Sequence, residues 1–297
     1  MWLTLCLRPP FRNASAPLFD MKLELRALEK TYTSKKGATQ ALLPISFEVG
    51  DAEFVSLVGP SGCGKSTTLY MIAGLDEPTG GEILLDGQRV TGPGPERGMV
   101  FQNYTLFPWL TVEENTKFAF RLDANLDLTR TAGEVMSDIG RAYSLLDLMG
   151  LTKFYQAYPR ELSGGMKQRV AIARALTAKP KVLLMDEPFG ALDAQTREEM
   201  QELLLLLSRH EKITTLFVTH DVEEAIFLST RILVFSGRPG RIIREIQVPF
   251  GVERPSDIKL TREFFDLKRE LLSLLAHDRA PTLERDELLR KLVARAN

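Results

Sequence analysis

Three short stretches carry residue types suited to handling a phosphorylated substrate: GPSGCGKST at Gly59 to Thr67, KVLLMDEP at Lys181 to Pro188, and LFVTHD at Leu216 to Asp221. The first matches the pattern G-x-x-x-x-G-K-[ST]. Gly59, Gly62 and Gly64, with Pro60, Ser61 and Cys63 between them, form a loop whose backbone N–H groups can turn toward phosphate oxygens. Lys65 is placed to reach the β- and γ-phosphates of a nucleotide. Ser66 and Thr67 open a helix whose N-terminus adds positive potential, and the Ser66 hydroxyl suits Mg2+. A chance glycine-rich turn is the plain alternative, but a strand before the loop and a helix after it favour the nucleotide. Cys63 occupies a variable loop position and reads as a tolerated small residue, not a nucleophile.

The second stretch is an apolar strand ending in Asp186 and Glu187. Carboxylates beside a core are costly unless they have work or partners. Next to a phosphate loop, Asp186 is placed to hold Mg2+ and Glu187 to polarise an attacking water as general base. Without Lys65 the pair would read as solvated strand-end acids. The third stretch puts His220 at a strand end, where open α/β sheets bind ligands, and there it can bond a γ-phosphate. His210 and His277 sit in charged helical surroundings and read as surface residues. Gln102 follows the run Gly98 to Phe101; its amide can reach Mg2+ or the attacking water, although by spacing alone it is a turn residue. Tyr32, taken alone, is a packing residue.

A fourth stretch, LSGGMKQR at Leu162 to Arg169, reads as a helix start. Ser163 can cap it, Gly164 and Gly165 leave backbone N–H groups uncovered, and Lys167, Arg169 and Arg174 keep the surface basic. Taken alone, an ordinary capped helix explains it. Together with a better phosphate loop earlier in the chain, it poses the question of why one protein needs two anion sites.

The elements that must position these residues follow from periodicity. Strands are expected at Phe54 to Val58, Glu82 to Leu85, Gly98 to Phe101, Val182 to Met185, Thr215 to Val218 and Arg231 to Phe235. Near-continuous apolar runs among them suit a sheet buried on both faces. Helices are expected at Ser66 to Ala73 and Gln195 to Arg209. Between about 110 and 178 the pattern is helical throughout: Val112 to Phe120, Gly133 to Met149 stopping at Gly150, and Gly165 to Ala178. This block reads as a helical insertion between strands of an α/β fold. After Gly251 a short linker leads to helical segments at Thr261 to Ala276 and Leu283 to Ala296. Residues 1 to 20 read as a disordered extension or an early start, with a regular domain beginning near Met21.

The chain has 297 residues, 44% of them apolar and 26% charged, with a formal net charge of −1. That is ordinary for a soluble globular protein and gives no overall basic footprint for nucleic acid. Two cysteines, Cys6 and Cys63, make no disulfide framework and fit a reducing compartment. The longest leucine run, Leu203 to Leu207, is far short of the ~20 residues a membrane span requires. The N-terminal MWLTLCL is apolar, but its positive charges follow it, so it makes a poor secretory signal.

Taken together, the motifs resemble those of the ATP-binding subunit of an ABC transporter. The chain carries, in the family's order, a Walker A loop at Gly59 to Thr67, a Q-loop at Gln102, the signature LSGGMKQR, a Walker B strand ending in Asp186-Glu187, a D-loop at Ala191-Leu192-Asp193 and a switch histidine, His220. The resemblance implies a P-loop NTPase cassette over about 21 to 250: a RecA-like α/β core, an antiparallel β subdomain and an inserted helical subdomain at about 110 to 178. A helical tail follows at 251 to 297. It implies ATP and Mg2+ as cofactors, with Ser66, Gln102 and Asp186 toward the metal, Glu187 as base, His220 as γ-phosphate sensor and Tyr32 as adenine platform. It also implies a head-to-tail dimer in which Ser163, Gly164 and Gly165 of one copy face the nucleotide held by Lys65 and Ser66 of the other.

The stretches GMVFQNYTLFPWLTVEEN, FGALDAQTREEMQ and GRPGRI are similar to those of bacterial importers for nitrate, sulfonate, taurine or bicarbonate. The expected partners are a second ATPase copy or a paralogue, integral membrane permease subunits and, indirectly, a solute-binding protein. No nucleic acid is expected. The expected place is the cytoplasmic face of the inner membrane. Met166 departs from the commoner Gln of the signature and puts any polar contact from that side chain in doubt. The rival readings are a soluble ABC ATPase acting on nucleic acid or ribosomes, and a non-catalytic regulatory subunit. Against the first stand the single cassette and the absence of sustained heptads between the two phosphate motifs; against the second, Lys65, Asp186, Glu187 and His220 are all intact.

Overall fold

The structure is a computed structural model that describes residues 21–35, 37–122, 131–251 and 253–277. A six-stranded sheet positions the chemistry. Its strands are β3 (Phe54–Val58), β6 (Arg97–Val100), β7 (Val182–Asp186), β8 (Thr214–Thr219), β9 (Arg231–Phe235) and β10 (Ile242–Gln247), in the spatial order β10-β9-β3-β8-β7-β6. Pairing is parallel except for β10 on β9. Every residue of β3, β7 and β8 is buried, as their unbroken apolar runs require when both faces are covered. Five parallel strands point their C-terminal ends the same way, so the residues following β3, β6, β7 and β8 collect on one edge.

A second sheet is antiparallel, in the order β2-β1-β4-β5, from β1 (Met21–Ser34), β2 (Gly37–Gly50), β4 (Gly80–Leu85) and β5 (Gln88–Arg89). The antiparallel layer that the family resemblance implied is therefore present, although no residue pattern located β1 or β2. The reason is irregular register. Alternation in β1 holds for Leu23 and Leu25, then slips by one at Ala27, whose φ is 46°, before Leu28 returns to the buried face. A bulge shifts the phase, and a period-two search loses the strand. Leu23, Leu25, Leu28, Leu42, Val49 and Ile83 fill the space between this sheet and α1 (Lys65–Ala73).

Among the described residues, only helical elements lie between β6 and β7: α2 (Val112–Thr116), a 3-10 turn over Lys117–Arg121, α3 (Ala132–Leu148), two further 3-10 turns and α4 (Gly164–Thr177). The expected helix from Val112 to Phe120 thus stops early. The Thr116 hydroxyl donates to the Val112 carbonyl at 2.9 Å, competing with the helical ladder where the turn tightens. Helix α3 ends as expected at Gly150 (φ 70°), with the Gly150 N–H donating to Asp147 and the Leu151 N–H to Leu146, a Schellman stop. The remaining helices are α5 (Ala194–Glu211), α6 (Val222–Leu228) and α7 (Arg262–His277). Helix α6 is seven mostly buried residues, too short for its periodicity to be read.

The chain after β10 packs back on α6. The buried Arg254 guanidinium donates to the carbonyls of Ile226, Phe227 and Ser229, satisfying the C-terminal end of α6, and burial lowers its pKa to about 10. Phe264 stacks on Phe250 at 5.9 Å between ring centroids, and Lys268 pairs with Glu223. None of the described helices is long and apolar enough to cross a membrane. The extension at 1–20, the segment Leu283 to Ala296 and the side chain of His277 lie outside the described residues.

Candidate nucleotide site

The loop between β3 and α1 owes its shape to glycine. Gly62 and Gly64 have φ of 77° and 96°, backbone that side-chain-bearing residues rarely adopt. Gly64 is the N-cap of α1 and no side chain caps that end, so the first N–H groups of the helix stay available. Behind the loop, a β-carbon on Gly240 would fall 1.8 Å from the Cys63 carbonyl oxygen, so the turn after β9 presses directly on the loop. Cys63 itself is fully buried and burial raises its thiol pKa, which fits a packing role. Lys65 is folded onto the loop, its ammonium donating to the carbonyls of Gly59 at 2.8 Å and Pro60 at 3.0 Å.

At the end of β7, Asp186 accepts from the Ser66 hydroxyl at 2.7 Å and from the Tyr70 hydroxyl at 3.1 Å. The residue is 3% exposed, and burial lifts its pKa above the usual 3.8 although both hydrogen bonds pull it down. The Tyr70 phenol is pushed up to about 12, chiefly by burial and then by the neighbouring carboxylate. Sequence reasoning missed Tyr70. The available signal was its position four residues after Ser66 on one helix face.

Glu187 is the next residue and has φ 42°, a left-handed backbone that costs energy in a residue with a β-carbon. Its N–H donates to the Val218 carbonyl at 2.9 Å, which holds the turn against β8. One carboxylate oxygen then meets two side chains from other strand ends: Gln102 donates to it at 3.3 Å, and His220 Nδ1 lies 3.1 Å away. Three residues far apart in sequence, all proposed from their types, thus share one oxygen atom. Tyr32 lies at the rim, 43% exposed, with its hydroxyl donating to Asp76 at 2.8 Å and 3.4 Å from the Thr67 hydroxyl. Its ring stands beside the start of α1, with Lys30 Nζ 4.9 Å from the ring centroid.

The signature segment sits elsewhere on the chain surface. Ser163 caps α4, accepting from the Met166 N–H at 3.3 Å. Two neighbours there were not foreseen. A β-carbon on Gly164 would lie 3.0 Å from the Tyr104 hydroxyl, and one on Gly165 would lie 2.4 Å from Thr196 Cγ2. The glycines are therefore small partly because their own chain packs on them. Asp193 caps α5, accepting from the Thr196 N–H at 3.0 Å, and this bond lowers its pKa. Met166 is partly buried against the core, so its side chain serves packing.

A parallel sheet with a glycine phosphate loop after one strand and acids after another defines a P-loop nucleotide-binding protein. The family model for ABC transporters matches residues 42–190. The chain is 51% identical over 261 residues to the nitrate import ATP-binding protein NrtD of Synechocystis sp., covering 86% of this chain and 95% of that protein. It is 43% identical over 257 residues to the aliphatic sulfonates import ATP-binding protein SsuB of Bacillus thuringiensis subsp. konkukian, covering 86% and 97%. Among solved structures, the dimeric structure of MJ0796, a bacterial ABC transporter cassette, superposes with a TM-score of 0.67 at 34% identity, covering 77% of this chain and all of that one. The post-hydrolysis state of that cassette, bound to ADP and Pi, gives 0.65 at the same identity and coverage. The chain belongs to the ABC transporter family, and its α/β cassette is that of a transporter ATPase.

Proposed function

We propose that this chain is the ATP-hydrolysing subunit of an importer for a small anionic solute of the nitrate, sulfonate, taurine or bicarbonate type. It would work at the cytoplasmic face of the inner membrane, bound to separate permease subunits that a solute-binding protein supplies. The cassette spans 21–250, the helical block at about 110–178 faces the permease, and 251–297 is an added tail. The observation that carries the catalytic reading is the meeting of Gln102 and His220 on Glu187 Oε2, beside the Ser66–Asp186 pair.

On this reading each residue takes a task that its surroundings support. Lys65 exchanges the Gly59 and Pro60 carbonyls for phosphate oxygens when ATP enters, and the uncapped N–H groups around Gly64 take the rest of the charge. Tyr32 offers a half-exposed ring at the rim for the adenine. The donor set fits Mg2+, a hard cation that prefers oxygen: the Ser66 hydroxyl and Asp186 carboxylate already lie together, and Gln102 keeps its amide oxygen for the metal. When bound, Mg2+ supplies positive charge against the phosphate oxygens. Glu187 takes the proton of the attacking water, with Gln102 fixing its carboxylate and His220 beside it available to bond the γ-phosphate.

Two copies lie head to tail, so that Ser163, Gly164 and Gly165 of one chain close on the nucleotide of the other. Only contacts that differ between ATP and its products can turn this closure into work on the permease. Steady-state hydrolysis tests the reading. Glu187→Gln should retain ATP binding while kcat falls by roughly 100-fold or more, the usual worth of a general base. Wild-type turnover in that variant removes Glu187 from the chemistry.

A further inference from the structure

Glu224 is a buried carboxylate to which the reaction assigns no task. It lies on α6, 4% exposed, and burial raises its pKa. The Thr219 hydroxyl donates to it at 2.7 Å, and Arg197 Nε lies 3.6 Å from its other oxygen. Thr219 also accepts the Asp221 N–H at 3.0 Å, and Asp221 caps α6 through the N–H groups of Glu223 and Glu224. The two residues flanking His220 are therefore both fixed by this cluster. Arg197 comes from α5, and its far nitrogens face two ways. One donates to the Leu192 carbonyl at 2.9 Å and the other lies 3.9 Å from Asp221. Among the described residues Arg197 Nε is buried without a hydrogen bond, and the Glu224 carboxylate is the charge that faces it.

On the other side, the neighbouring residue Thr196 bonds Asp193 and packs on Gly165. A single helix start thus touches the signature glycine, the D-loop and, through the ion pairs of Arg197 with Glu224 and Asp221, the strand end that carries His220. A purely structural pair is the simpler account, yet a hydrophobic pair of the same volume would avoid the desolvation of two charges.

We propose that Arg197 and Glu224 are positioning residues that make the His220–Glu187 contact depend on how the D-loop helix is seated. This rests on the catalytic reading of Glu187 given above. When the second copy presses on the segment Leu192-Asp193, Arg197 carries the displacement to Glu224, and Thr219 and Asp221 carry it to the backbone of His220. The pair does not touch nucleotide, so it acts on turnover and not on binding.

The full-length chain allows a direct test with two variants. Glu224→Gln keeps the volume and an acceptor for Thr219 but loses the charge. The double variant Arg197→Met/Glu224→Leu removes the pair without leaving one charge buried alone, so it should fold with a thermal midpoint close to wild type. For both we expect kcat to fall about tenfold or more, with KM for ATP and affinity for a fluorescent ATP analogue within about twofold of wild type. A stable double variant with wild-type kcat, beside a slow Glu187→Gln, overturns the proposal and leaves the catalytic reading intact. Loss of ATP binding in step with kcat also overturns it, because the pair would then serve the binding fold. Wild-type turnover in Glu187→Gln overturns both.

Discussion

At the scale of single residues, the site is built from side chains held in costly settings. Glu187 keeps a left-handed backbone because its N–H continues the β7–β8 pairing while its carboxylate turns toward Gln102 and His220. Asp186, one residue earlier, is a carboxylate in the core, and its raised pKa gives a signed prediction. A carboxyl whose folded pKa lies above its unfolded value contributes stability that is complete below the usual 3.8 and lost as pH rises through the folded value. At neutral pH the ionised group therefore destabilises the nucleotide-free protein. Asp186→Asn should raise the thermal midpoint without nucleotide near neutrality, and this gain should vanish as pH falls below the ordinary carboxylate range. A gain of the same size at both pH values would show that charge burial is not its source. Residue types and spacing point to Lys65, Ser66, Asp186, Glu187 and His220, and the family resemblance adds Gln102. They could not give the backbone angle of Glu187 or the Tyr70 hydroxyl, because both depend on which strand ends are neighbours.

Elements explain what the motifs alone left open. The strands buried on both faces read clearly, since β3, β7 and β8 are unbroken apolar runs. Strands β1, β2 and β10 did not, because bulges or half-exposed faces broke their alternation. The start of α4 was legible as a capped helix, but the reason for its glycines was only half legible. Gly165 is pressed by Thr196 of α5, a contact between segments distant in sequence that no local pattern encodes. Gly165→Ala should therefore lose stability, by about 1 to 3 kcal/mol for the overpacking, offset by roughly 1 kcal/mol of helix propensity. Adding Thr196→Ser deletes the clashing methyl and should return the denaturation midpoint to near wild type. If Gly165→Ala alone matches wild type in urea unfolding, the contact is soft and carries no constraint. The same contact joins the signature segment to the helix that follows the D-loop within one chain.

On the scale of the whole molecule, the cassette has two faces with different work. One holds the glycine loop, Asp186, Glu187 and His220; the other presents Ser163 and the start of α4. Both look like anion sites, and the cassette of 34% identity that this chain resembles has been solved as a dimer. On the proposed account, each face is half of a composite site that a second copy would complete. Among the described residues after β10, Arg254 and Lys268 tie onto α6. The most direct test is the mass of Glu187→Gln in solution by sedimentation velocity, with and without ATP. The proposed account predicts a monomer without nucleotide, a dimer with ATP, and a return to monomer with ATP when Ser163→Arg is added to the same chain. A mass that ATP leaves unchanged, or a dimer indifferent to Ser163→Arg, would contradict the composite site.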